Sequence, residues 1–215
     1  MESKTFGQLP DTVDTDAVVP YDINIASDKV QRMRKLVELS PVPTPCYENS
    51  PPGGSRKFGL RRDWFSAAKK RWETHFDWDK QQALLNRHSH FIAKVPTGNG
   101  EEIDVHFVAL FSRASGPVKP LLLLHGWPGS FLEFLPMLDE LAAKYTPATL
   151  PYHVIVPSLP GYLFSGSPPL DRDFGLEDVA RIMDSLMVSV LGFGDVRYHC
   201  QGGDIGSHVC RILAA

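Results

Sequence analysis

The spacing of hydrophobic and polar positions changes several times along the 215-residue chain. Residues 1–28 are polar and acidic, carrying Asp11, Asp14, Asp16, Asp22 and Asp28 without an apolar block. From Asp28 to Leu39, apolar Val30, Met33, Leu36 and Val37 recur at helical spacing, which predicts one short amphipathic helix ending at Ser40-Pro41. Five prolines and two glycines between Pro41 and Gly54 predict an extended meander. A second helical region is predicted from about Arg61 to Arg87. Its Trp64, Phe65, Ala68, Trp72, Phe76 and Leu84 read as core, with a binding role for the aromatics as the alternative.

Alternating runs at His90–Val95 and Ile103–Phe111, separated by Pro-Thr-Gly-Asn-Gly-Glu-Glu, predict an antiparallel hairpin with a longish turn. After Gly116 the pattern becomes strand and helix in alternation. Strands are predicted at Pro120–Leu124, His153–Val156 and Val196–Cys200, and helices at Phe131–Leu141, Leu176–Leu191 and from Ile205 onward. Such alternation argues for an α/β fold with right-handed crossovers and a parallel sheet.

Composition narrows the class of function. With 43% hydrophobic and 22% charged residues the chain can bury a substantial core, which excludes disorder. The 22 basic and 25 acidic side chains leave a net charge of −3, which gives no bulk field for nucleic acid or an anionic membrane. Small molecules and proteins remain as partners. Cys46, Cys200 and Cys210 are odd in number and lack C-x-x-C spacing, so neither a disulfide framework nor a zinc site is expected. The absence of a signal-like segment and of a purely aliphatic run longer than Leu121–Leu124 points to a cytoplasmic protein with no membrane span.

Three motifs carry candidate chemistry. In Gln201-Gly202-Gly203-Asp204-Ile205-Gly206, glycines stand two places before and two after Asp204, as a sharp strand-to-helix turn that projects a nucleophile requires. A carboxylate at the tip would sit at a helix N-terminus, where backbone N–H groups and the helix dipole keep it ionised. Asp204 therefore reads as a nucleophile, and a plain helix cap is the alternative.

In His125-Gly126-Trp127-Pro128-Gly129-Ser130, a Gly-rich turn follows the apolar strand and can aim a backbone N–H into the same crevice. The N–H groups of Trp127 and Ile205 would then form a two-donor oxyanion hole. Ser130 and Glu133 match a capping box, with Pro136 expected to kink the following helix; a purely structural loop-plus-helix start is the alternative. The third motif, Pro157-Ser158-Leu159-Pro160-Gly161-Tyr162, is a rigid loop on the same sheet edge. There Tyr162, Phe164 and Trp127 are expected to wall an apolar pocket.

On these residues the chain resembles the fungal soluble members of the microsomal-type epoxide hydrolases. Trp72–Leu85 and Ile103-Asp104-Val105-His106-Phe107 are similar to that family's N-terminal domain; HGWPGS, VPSLPGY and QGGDIG are similar to its catalytic half. The resemblance implies an α/β-hydrolase fold preceded by an N-terminal meander domain, here residues 1–112 and 113–215. It also implies that Asp204 opens an apolar epoxide through an aspartyl ester, which a histidine-activated water cleaves to a vicinal diol. Two cap tyrosines protonate the leaving alkoxide, and no metal or organic cofactor takes part. Haloalkane dehalogenases share the aspartate nucleophile but lack such an N-terminal domain. Fungal relatives of this type suggest detoxification or an epoxide step in secondary metabolism.

One departure from the family pattern bears on activity. The orienting acid and the histidine follow the nucleophile along the chain in this fold, yet only eleven residues follow Asp204. The expectation is a chain truncated after the elbow, without cap, C-terminal strands or general base, and impaired in turnover. His208 should lie along its helix flank, His199 sits on the strand before the turn, and the resemblance implies a structural role for His125, while His75, His88, His90, His106 and His153 have no motif context. The strand ending at Gln201 should be left as an apolar edge open to self-pairing, a route to a homo-oligomer. The competing reading is a non-catalytic remnant that binds an apolar ligand or a protein.

Overall fold

The computed structural model describes residues 3–13, 15–54, 57–98 and 100–215, so Asp14 of the acidic stretch and Asn99 of the hairpin turn lie outside the described residues. The chain divides into two compact units. One joins Met1–Asp22 to Asn86–Ala215, and the other is Ile23–Leu85. The boundary expected at residue 112 falls between two strands of a single sheet.

The larger unit holds six strands: β1 (Val18–Tyr21), β2 (His90–Pro96), β3 (Glu102–Leu110), β4 (Lys119–Leu124), β5 (Tyr152–Pro157) and β6 (His199–Gly202). They lie in the order β1-β2-β3-β5-β4-β6. The sheet is mixed. β1 to β3 and the β3–β5 pair are antiparallel, whereas β5, β4 and β6 run parallel. The parallel sheet expected from alternation is therefore its second half, and the predicted hairpin continues the same sheet. β1 went unforeseen because Val18-Val19-Pro20-Tyr21 sits in an acidic stretch and gains its ladder only from β2.

Leu122 and Leu124 on β4, Ile155 on β5 and Phe107 on β3 are fully buried, as a sheet covered on both faces requires. The cover on one face comes from α5 (Leu176–Ser185), where Ile182 and Met183 are buried, and from a π-helical turn (Leu186–Val190) that replaces the last part of the predicted continuous helix. Phe131–Phe134 forms a 3-10 turn ahead of α4 (Leu135–Lys144). Pro136 thus lies in the first turn of α4, where its missing N–H is harmless, and no kink is needed. Ser130 Oγ accepts from Leu132 N–H, as an N-cap does.

The smaller unit is helical: α1 (Ser27–Leu39), α2 (Arg62–His75) and α3 (Trp78–Leu85). The helix predicted over 61–87 is two helices. Phe76 turns extended, and Asp77 Oδ1 accepts from Lys80 N–H to start α3. In the meander, Asn49 Oδ1 accepts from Cys46 N–H while Asn49 Nδ2 donates to Thr44 O. The aromatics expected as core are not core: Trp64 is 55% exposed and Trp72 48%, and none of the three helices buries a side chain. Their helical spacing is real, but the packing of α1 against α2, seen where Lys69 Nζ donates to Glu38 O, leaves the Trp64 and Trp72 rings largely at the surface.

Among the described residues β6 is an edge strand, paired only with β4. Its exposed side chains are His199 and Gln201, so the edge is polar rather than apolar as expected. No helix of the described residues is long and apolar enough to cross a membrane.

Candidate active site

β6 ends at Gly202, and α6 (Ile205–Leu213) begins three residues later. The chain turns through Asp204, which adopts φ 49° and ψ −123°. A non-glycine residue at positive φ is strained and persists only where its surroundings impose it. Those surroundings are the flanking glycines. A Cβ on Gly202 would stand 2.5 Å from the Gly206 carbonyl carbon, and one on Gly206 would strike the Leu124 carbonyl oxygen. Strand, helix and the end of β4 thus approach more closely than any side chain permits.

The turn aims the Asp204 carboxylate at the loop following β4. Trp127 N–H donates to Asp204 Oδ1 at 2.8 Å. This bond, then the N–H of Ile205, holds the carboxyl below the usual aspartate range, and the field of His208 one turn along adds a little. The three residues singled out in the sequence therefore meet at one point: carboxylate, Trp127 N–H and Ile205 N–H. The Trp127-Pro128 peptide is cis.

The pocket wall expected from Trp127, Tyr162 and Phe164 does not form as one surface. Trp127 is 70% exposed, Tyr162 packs edge-on against His125 at 4.8 Å, and Phe164 packs against Tyr21 and His106. His125 is fully buried and accepts from Leu159 N–H through Nε2 at 3.1 Å; burial pushes its pKa down. It carries a structural contact rather than a proton for catalysis.

His106 is the residue that sequence reasoning passed over. It is fully buried, burial and neighbouring His90 push its pKa down to about 3, and its Nδ1 lies 2.9 Å from Ser158 Oγ. Alternation along β3 places its backbone but cannot reveal a partner 52 residues away. Among the described residues no group of three or more His, Cys, Asp or Glu could hold a metal ion.

The profile of the epoxide hydrolase N terminus matches residues 18–134, more than half of the chain. The chain belongs to the epoxide hydrolase family. A second profile, the alpha/beta hydrolase fold, matches residues 119–215 and so takes in β4, the Trp127 loop and the Asp204 turn. A protein of Dothistroma septosporum, itself a candidate epoxide hydrolase, is 45% identical over 196 residues, which cover 91% of this chain and 46% of that one. The solved Aspergillus niger epoxide hydrolase superposes with a TM-score of 0.84 at 43% identity, over 97% of this chain and 51% of its own. The juvenile hormone epoxide hydrolase of Bombyx mori superposes with a TM-score of 0.73 at 28% identity, over 94% and 50%. The chain thus spans about half the length of these epoxide hydrolases, and its α/β architecture corresponds to part of theirs.

Proposed function

We propose that Asp204 is the nucleophile of an epoxide-opening reaction and that Trp127 and Ile205 supply its oxyanion hole. The observation that carries this reading is the 2.8 Å bond from Trp127 N–H to Oδ1 of a carboxylate held on a strained turn. With Oδ1 occupied by that donor, Oδ2 is the oxygen left to attack. It forms a C–O bond to one carbon of a small apolar epoxide as the ring C–O bond breaks. The alkoxide takes up a proton from solvent water, giving a hydroxyalkyl ester of Asp204 and hydroxide.

In the second half-reaction water adds to the ester carbonyl carbon and loses a proton to a base. The charge on Oδ1 is held by the two N–H groups until the C–O bond to the substrate breaks, releasing a vicinal diol and the free carboxylate. The Asp204 carboxylate and its backbone donors serve the ester-forming half-reaction, and one adduct without sustained turnover is the outcome this reading expects of the 215-residue chain.

Intact-mass measurement after incubation with styrene oxide tests the proposal. The expected result is one adduct per chain, mapped to Asp204 and absent in Asp204→Asn. Sustained diol production by the 215-residue chain, abolished by Asp204→Asn, would show that a base is present after all. A folded chain with neither adduct nor turnover would favour the binding-module reading, which draws on the exposed Trp64 and Trp72.

A further inference from the structure

The oxyanion-hole donor is held from behind by a chain of hydrogen bonds that all point the same way. Trp127 N–H and Gly126 C=O belong to one planar peptide unit, so fixing the carbonyl aims the N–H. That carbonyl lies 3.2 Å from His125 Nδ1. Because Nε2 of the same ring accepts from Leu159 N–H, the neutral imidazole carries its proton on Nδ1 and donates it to Gly126 O.

The device repeats one step back. Leu159 N–H shares a peptide unit with Ser158 C=O, which accepts from Ser165 Oγ–H at 2.6 Å. Ser165 Oγ in turn accepts from His106 N–H at 3.0 Å. Ser158 is clasped to His106 twice more, through Ser158 N–H to His106 O at 2.8 Å and through the Oγ–Nδ1 contact at 2.9 Å. His106, Ser158 and His125 are fully buried, where hydrogen bonds of one direction polarise one another.

We propose that Ser165 is a positioning residue for the nucleophile. Its hydroxyl relays a donor-to-acceptor chain from His106 N–H on β3, through the Ser158–Leu159 peptide, His125 and the Gly126–Trp127 peptide, to Asp204 Oδ1. This inference rests on the reading of Asp204 as nucleophile for its kinetic consequence only.

Ser165→Ala tests it with two readouts, the amide proton shift of Trp127 and the rate of Asp204 alkylation by styrene oxide. His153→Gln serves as control: His153 Nδ1 accepts from Ser112 N–H and lies outside the chain. The expected result is an upfield shift of the Trp127 amide and alkylation about tenfold slower, as misaimed reacting groups give. Ser165→Thr, which keeps the hydroxyl, should restore both. If Ser165→Ala does not fold, Ser165→Cys, a weaker donor, should move the amide in the same direction by less. An unmoved Trp127 amide in the folded variant, or a change no larger than the control gives at equal thermal loss, would overturn the proposal. A wild-type chain that is never alkylated, yet whose Trp127 amide follows Ser165, would sink the nucleophile reading and leave the relay standing.

Discussion

Gly126 faces Asp204 across a gap that admits no side chain: a Cβ on Gly126 would stand 2.5 Å from Asp204 Cβ and 2.7 Å from Oδ1. The glycine is therefore what lets the Trp127 N–H reach the carboxylate at 2.8 Å. Gly126→Ala should displace the carboxylate from its donor and slow alkylation by styrene oxide roughly 100-fold, the scale expected when a reacting group moves by about an ångström. Time-resolved intact mass gives the rate, and an unchanged rate in a folded variant would contradict this geometry.

The elbow glycines should separate by position. Gly206→Ala drives a Cβ into the Leu124 carbonyl, a backbone atom that cannot swing aside, whereas Gly203→Ala meets nothing within 4 Å. Overpacking of this kind costs roughly 1–3 kcal/mol. Urea unfolding should place Gly206→Ala that far below wild type and leave Gly203→Ala within about 0.5 kcal/mol, as a substitution into open space does.

The turn at Asp204 was legible because its constraint is local. Gly202 and Gly206 must be small wherever a strand reverses into a helix this tightly, and the sequence between them names the residue at the tip. Most helices and strands after Gly116 were legible for the same reason, since their period is written within each segment, although the strand expected from Val196 starts only at His199. The exposed aromatics of α2 were misread because periodicity marks a face without saying what covers it. The His106–Ser158–Ser165 cluster was invisible because its bonds join strands and loops more than 50 residues apart in two of its three links.

The three cysteines should differ in reactivity. Cys46 is exposed, whereas Cys200 Sγ lies 3.6 Å from the Cys210 carbonyl oxygen and burial pushes the Cys210 thiol up to about 12. The thiolate is the reactive form. Iodoacetamide at pH 8 should label Cys46 in the folded chain and reach Cys210 only after denaturation, as peptide mapping of the alkylated protein would show. Labelling of Cys210 at the rate of Cys46 would mean that the β6–α6 contact opens readily.

Buried histidines should weaken the fold as the pH falls. Burial is the leading cause that lowers the pKa values of His88, His106, His125 and His153, with His153 at about 4 and His106 at about 3. In the unfolded chain each returns to about 6.5. Below that value the unfolded state binds more protons than the folded one, so stability falls as pH drops from about 6.5 toward 4 and is level above it. Each histidine that stays neutral in the fold contributes a slope of about 1.4 kcal/mol per pH unit in that window. Carboxylates with lowered pKa values add their own losses below about pH 5, so the range from about pH 5 to 6.5 is the one diagnostic of the histidines. Urea midpoints measured from pH 8 to about pH 5 should therefore be constant at first and then decline. His153→Gln, which offers Ser112 N–H an acceptor that does not titrate, should make the decline shallower by one histidine's share. A decline of unaltered steepness in that variant would mean that His153 is protonated in the folded state.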